Sequence, residues 1–226
     1  MAQTPTQIPF DLRLAPNYSR AAFQPAPSNA EALAAIDKTA SWPNRTLAIS
    51  GPQGTGKTHL GHIWTTEQGE NGAIIATDLE LAELGALRGK SVWMDDADRA
   101  DEGVLFALIN MAILGDIEAL LLCSRVLPAQ WDVQIPDLRS RLGAMTVARI
   151  DPPGDDLLRK IYVNLLAERG RTPDDAVIDY LVNYGQRSAQ AAQDTAAALD
   201  RMAAAKKSKI TKALARVYFE SQGELF

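Results

Sequence analysis

Between residues 46 and 150, short unbroken apolar runs alternate with longer stretches whose apolar positions recur every three or four residues. The runs are Thr46-Leu47-Ala48-Ile49-Ser50, Gly72-Ala73-Ile74-Ile75-Ala76, Ser91-Val92-Trp93-Met94-Asp95, Ala119-Leu120-Leu121-Leu122-Cys123 and Met145-Thr146-Val147-Ala148-Arg149-Ile150. Runs this short and continuous predict strands buried on both faces, as in a parallel sheet. Between them the spacing predicts helices over residues 57–68 and 101–114, a short one from Asp78 to Leu84, and another over 136–142. The second carries its apolar residues at Val104, Leu105, Leu108, Ile109 and Ala112. The expected class is α/β, a five-stranded parallel sheet flanked by helices.

The two flanks read differently. Five of the twelve prolines lie at Pro5, Pro9, Pro16, Pro25 and Pro27, which excludes long helices there. Ser28 and Asn29 then offer a cap for a helix over 30–39, closed by Pro43. After Asp151-Pro152-Pro153-Gly154 only helical patterns remain, over 155–169, 174–184, 188–204 and 208–221. The expected units are an extended segment at 1–27, the α/β base at 28–150 and a small all-α unit at 151–226.

Composition narrows the picture. Hydrophobic residues make up 46% and charged residues 23% of 226, enough to bury a sizeable core. Twenty-three basic against 28 acidic residues give a net charge of −5, which argues against a broad basic face for nucleic acid. The single cysteine, Cys123, cannot form an internal disulfide and sits in an apolar run, where a buried thiol is expected. No apolar stretch nears the length needed to span a bilayer, and the N-terminus lacks the pattern of a signal peptide. The expected location is the cytoplasm, without direct membrane insertion.

The most specific chemistry is Gly51-Pro52-Gln53-Gly54-Thr55-Gly56-Lys57-Thr58, which matches G-x-x-x-x-G-K-[ST] throughout. Glycines let backbone N–H groups turn inward around phosphate oxygens, Lys57 adds a positive charge, and the Thr58 hydroxyl suits Mg²⁺. A strand precedes the loop, and a helix follows with its positive end at the same place. Asp95, ending the third strand, can hold the magnesium shell, and Asp96 can orient an attacking water. The plain alternative is a solvated acidic loop, since Asp98 and Asp101 follow. Ser124, just past the fourth strand, can donate toward a terminal phosphate or cap a turn. His59 and His62 lie three apart on the loop's helix without an evident third metal ligand, which favours surface or packing roles. Arg139 and Arg141, in Pro136-Asp137-Leu138-Arg139-Ser140-Arg141-Leu142, stand at the edge of the base, where an arginine can act on a neighbouring subunit or form a surface ion pair.

Together these motifs resemble the AAA+ ATPases, and among them the DnaA-like branch. The matching pieces are Pro27-Ser28-Asn29, Gly51 to His59 with Leu60, Asp95-Asp96, Leu138-Arg139-Ser140-Arg141-Leu142 and the terminal helices, roughly residues 5 to 222. The chain stops where the C-terminal DNA-binding domain of DnaA would begin. It looks most like the regulatory inactivators of DnaA (the Hda type, in its α-proteobacterial form), and Trp131 to Leu138 is a further likeness. Gln7-Ile8-Pro9-Phe10-Asp11-Leu12 resembles the peptide that docks on the replication sliding clamp, with Gln7 as polar anchor and Phe10 and Leu12 as apolar plugs.

The resemblance implies an AAA+ base with a helical lid and a site for ADP or ATP with Mg²⁺. Ser28 and Asn29 would lie near the adenine, and Arg141 would reach in trans to ATP held by DnaA. Arg187 would be the lid's nucleotide-sensing arginine, with Gln190 or Gln193 as alternatives that lack the charge. Many nucleotidases of this build carry Glu where Asp96 stands, so the chain's own hydrolysis would be weak or absent. The implied partners are DnaA, the DNA polymerase III clamp, DNA through that clamp and, in a homo-oligomer, a second copy of the chain. The implied role is negative regulation of replication initiation beside the nucleoid. The open alternatives are an autonomous AAA+ ATPase that remodels another protein and a non-catalytic DnaA–clamp adaptor.

Overall fold

A computed structural model describes residues 17–223. Five strands, β1 (Thr46–Ser50), β2 (Gly72–Ile75), β3 (Ser91–Met94), β4 (Ala119–Ser124) and β5 (Val147–Arg149), form one parallel sheet in the order β2-β3-β4-β1-β5. The central strands β1, β3 and β4 are buried along their whole length, which is why their sequences are continuously apolar instead of alternating.

Helices cover both faces. On one side α1 (Ala30–Ile36) and α2 (Lys57–Glu67) bury Leu47, Ile49, Leu60, Trp64, Trp93 and Cys123. On the other, α3 (Glu102–Leu114) and α4 (Pro136–Ala144) bury Val92, Met94, Leu105, Leu108, Leu122 and Leu138. Full burial raises the Cys123 thiol to about 12 and keeps it protonated. Beyond β5 follow α5 (Asp155–Ala167), α6 (Asp175–Tyr184), α7 (Ala189–Ala205) and α8 (Lys212–Gln222), which enclose a core of their own around Tyr162, Leu181, Leu199 and Phe219.

Local signals set most boundaries, and three elements differ from the sequence expectation by three residues or more. No helix starts at Asp78; a 3-10 helix runs from Leu81 to Leu87, because Glu80 and Glu83 cap each other's backbone in a reciprocal box. Helix α8 starts at Lys212, where the Thr211 hydroxyl accepts from Leu214 N. Helix α1 ends at Ile36, and Thr39 turns its hydroxyl back to the Ile36 carbonyl. Asn29 precedes α1 without capping it. Its side chain instead accepts from Ala26 N and donates to the Gln24 carbonyl, bracing the incoming chain.

Candidate nucleotide site

In a parallel sheet the strands end together, and the loops after them share one edge where ligands bind. Here β1 runs into residues 51–56, β3 into Asp95 and Asp96, and β4 into Arg125, with Ser50 in register with Ser124. Gly54 and Gly56 take φ of +74° and +106°, values that disfavour side-chain-bearing residues, so the chain can fold back before α2 starts. The first turn of α2 has no side-chain cap, which leaves its N–H groups for an anion.

Lys57 is buried, and its ammonium donates to the Gly51 carbonyl at 2.6 Å and the Pro52 carbonyl at 2.8 Å. Burial holds its pKa below the ordinary lysine value, against the opposing pull of Asp95 and Asp96. Thr58 donates its hydroxyl to Asp95 Oδ2 at 2.5 Å, while Asp95 Oδ1 accepts from Asp96 N at 3.0 Å. Among the described residues no group of three or more His, Cys, Asp or Glu is placed to hold a metal. The Thr58–Asp95 pair instead suits Mg²⁺, which takes one or two protein oxygens and completes its shell with water and phosphate. These two residues would hold it, and bound there it would neutralise phosphate charge.

Asp96 stands in the left-handed region at φ +46°, a conformation that Asp tolerates better than most residues. Its carboxylate faces two guanidinium groups, Arg125 at 3.7 Å and Arg99 at 3.9 Å. Ser124 is fully buried and donates to the Val126 carbonyl at 2.7 Å, so its hydroxyl serves the turn after β4.

Two adjoining cavities open over this edge and share Tyr18, Gly56, His59, Ala189 and Gln193 as lining. The smaller, about 290 Å³, is lined by Gln53, Gly54, Lys57, Thr58, Asp95, Asp96, Arg125 and Gln190. The larger, about 560 Å³, runs between the base and α5, with Phe23, Leu157 and Ile161 as apolar walls and Asn29, Asn164 and Glu168 as polar groups. One is polar and phosphate-sized, and the other could take a base and sugar.

The chain before α1 walls the larger cavity. Tyr18 stacks on His62 at 4.1 Å between ring centres, and His59 Nε2 lies 2.9 Å from the Ser19 carbonyl. Burial holds both imidazoles below their usual range. Both imidazoles pack against residues 18–23, and His59 also lines both cavities. Arg20 fastens the same segment to Glu67 and Asp37.

The lid meets the loop at Gly54, where Ala189 N donates to the Gly54 carbonyl at 2.7 Å and Ser188 and Gln190 lie close by. This brings Gln190 and Gln193 to the cavities. Arg187 pairs with Asp155 at 2.7 Å and lines neither cavity. Asn29 lines the larger cavity. Ser28 does not, and its carbonyl accepts from Asp151 N. Arg141 also lines neither. It lies on α4, 3.1 Å from Asp137 and over the Phe106 ring at 5.3 Å. Gln7, Phe10 and Leu12 lie outside the described residues. Arg125 and Tyr18 escaped the sequence reading. Arg125 had a signal, being the first charged residue after the fourth strand.

The architecture has known counterparts. Domain III of the Thermotoga maritima replication initiation protein DnaA superposes with a TM-score of 0.76 at 20% identity, over 92% of this chain and 98% of that one. The chain has a DnaA-like AAA+ fold. AMPPCP-bound DnaA from Aquifex aeolicus matches at 0.67 and 20% identity, over 81% of this chain and 65% of that one. The Thermotoga maritima RuvB Holliday junction branch migration motor matches at 0.65 and 19%, over 78% and 61%. This chain therefore spans less than two thirds of either of those two longer proteins. No family model matches the sequence, and neither does any curated protein. Among the described residues no helix of the AAA+ fold is long and apolar enough to cross a membrane.

Proposed function

We propose that this chain is a nucleotide-bound negative regulator of replication initiation that acts on DnaA. In this reading Gln7, Phe10 and Leu12 tether it to the DNA-loaded sliding clamp. Arg141 then completes the ATP site of DnaA and promotes hydrolysis, leaving DnaA–ADP. The chain's own ADP or ATP, with Mg²⁺ at Thr58 and Asp95, holds base and lid in the docking arrangement.

The observation that carries the reading is the position of Arg141. It lines neither cavity of its own chain, and its guanidinium lies at the surface beside Asp137 and the Phe106 ring. A cation placed in this way suits a partner's phosphate. An arginine supplied in trans neutralises charge as water attacks the terminal phosphorus and the bond to the leaving diphosphate breaks, a contribution of about 10³–10⁵ in rate. Asp96 lines the smaller cavity with two guanidinium groups at 3.7 and 3.9 Å, and its side chain is one methylene shorter than the Glu that many nucleotidases of this build carry there, which favours weak hydrolysis by the chain itself.

The test is hydrolysis of DnaA-bound ATP with this protein and clamp-loaded DNA, each component omitted in turn. The expected result is stimulation that needs the clamp and falls at least about a hundredfold in Arg141→Ala, with Gln7→Ala abolishing the clamp requirement's benefit. Stimulation unchanged in Arg141→Ala would refute the trans role. No stimulation in any combination would leave a non-catalytic adaptor, and rapid turnover by the isolated chain would favour an autonomous ATPase.

A further inference from the structure

Helix α4 carries Arg141, yet the residue before its first turn, Ile135, offers no side-chain cap, and Pro136 stands at the first helical position. What meets that end of α4 comes from α3. The Glu102 carboxylate reaches residues 32 and 33 positions further along the chain. Both of its oxygens accept from Gln134 N at 2.9 Å, and Oε2 also accepts from Ile135 N at 3.0 Å. Arg139 braces the same segment from within α4 by donating to the Val133 carbonyl. Four residues after Glu102 on α3, the Phe106 ring lies under the Arg141 guanidinium, 5.3 Å from it. Positions four apart share a helix face, so one face of α3 meets both the entry to α4 and its arginine. Leu138 and Leu142 bury the inner side of α4 in the shared core. Such apolar contacts are non-directional, whereas hydrogen bonds to a carboxylate are both directional and strong.

We infer that Glu102 is a positioning residue for Arg141: it fixes the start of α4 against α3 and thereby sets where Arg141 stands on the surface. This rests on the trans role of Arg141 proposed above. Glu102 supplies from another helix the cap that α4 lacks, and its negative charge suits the positive end of α4. The side chain of Gln134 is not available for that task, since its amide donates to Asp132. Without the carboxylate, the segment entering α4 keeps the Arg139 contact and the apolar packing, but loses its tie to the helix that carries Phe106. A misplacement of about 1 Å can cost about a hundredfold in rate at a reacting centre. A cation that must meet a phosphate on another molecule is sensitive to just such a shift. Glu102 lines neither cavity, so the chain's own nucleotide affinity does not depend on it.

The test uses the full chain, DnaA–ATP and clamp-loaded DNA, and measures the maximal stimulated rate of hydrolysis and the concentration of chain that gives half of it. Glu102→Ala should lower the maximal rate about tenfold or more. It should change the half-saturating concentration and the chain's own ADP affinity less than about threefold. Glu102→Gln keeps the length and one acceptor oxygen but turns an amide N–H toward the second donor, so it should recover part of the loss. The double variant Glu102→Ala/Arg141→Ala should be no slower than Arg141→Ala alone, because residues that act through one another do not add. An unchanged maximal rate in Glu102→Ala would overturn the positioning role. So would a double variant slower than Arg141→Ala, or a rate loss matched by an equal loss of ADP affinity, since either would mark Glu102 as general support for the fold. If the unmodified chain gives no stimulation, or Arg141→Ala stimulates as well as it does, the trans reading of Arg141 falls and the role of Glu102 falls with it. If Arg141→Ala abolishes stimulation and Glu102→Ala changes nothing, only the role of Glu102 is overturned.

Discussion

Replacing Gly54 by alanine tests whether the lid is tied to the nucleotide site through the phosphate loop. Gly54 is the point where the two meet. Its carbonyl accepts from Ala189 N at 2.7 Å, and Ser188, just before that residue, caps α7 by accepting from Ala191 N at 3.3 Å. An alanine Cβ at position 54 would overlap the Ser188 hydroxyl and stand 3.1 Å from Ser188 Cβ and 3.2 Å from Gln190 Cβ. Three losses follow. Holding alanine at φ +74° costs about 1–2 kcal/mol. Displacing Ser188 weakens a cap worth about 1 kcal/mol. Losing the Ala189–Gly54 bond removes about 0.5–1.5 kcal/mol.

These effects share atoms and do not add fully, so about 2–4 kcal/mol is the expected total. If all of it falls on the closed, nucleotide-ready arrangement, affinity drops roughly 30- to 700-fold. The sheet and α5–α8 have separate cores, so circular dichroism should show a folded protein. The assay is an ADP titration followed by fluorescence or calorimetry. Adding Ser188→Gly removes both overlapping Ser188 atoms, and glycine caps a helix nearly as well as serine. The double variant should recover about tenfold of the lost affinity, the equivalent of roughly 1.4 kcal/mol. Unchanged affinity in Gly54→Ala would refute the coupling. A double variant as weak as the single one would refute the route through Ser188.

Two further expectations concern stability. Gly61 lies inside α2 against the Trp93 ring, which is 2% exposed; Gly61→Ala gains about 1 kcal/mol in helix propensity but loses about 3 kcal/mol to overpacking. Urea unfolding should show a net loss of about 2 kcal/mol, and a stabilised variant would contradict the packing argument. His59 and His62 are held below the usual imidazole range by burial, whereas the unfolded chain takes these protons near about 6.5. The unfolded state then binds more protons below that pH, so the stability present above it is lost as pH falls toward the folded values. The urea midpoint should drop from pH 7.5 to 5.5, and less so in the His59→Gln/His62→Gln double variant. Parallel slopes for the two proteins would rule this out.

The base was legible to the extent that its signals are local. The phosphate loop needs glycines, a lysine and a threonine at fixed spacing within eight residues, and all of them were readable. So were the buried strands and the helices over Lys57–Glu67 and Glu102–Leu114, because burial on two faces and helical periodicity both show within a short window. The helix expected after Asp78 failed for a local reason as well, since the Glu80–Glu83 box starts the turn two residues later. Arg187 shows a different kind of limit. Its sequence position, close to the start of α7, suited a lid arginine, but the rotation of that helix gives Gln190 and Gln193 to the cavities and leaves Arg187 to Asp155.

Residue type and spacing along the chain were enough to specify a parallel α/β core with a phosphate loop, because backbone geometry and two-sided burial act over a few residues. They did not specify the strand order β2-β3-β4-β1-β5, which puts the end of β4 beside the phosphate loop and so brings Arg125 to Lys57 and Asp96. Nor did they specify the stacking of Tyr18 on His62, 44 residues later in the sequence, which makes the chain before α1 a wall of the cavity. Such contacts depend on how the elements pack together, and that is decided only when the separate apolar faces close on one another.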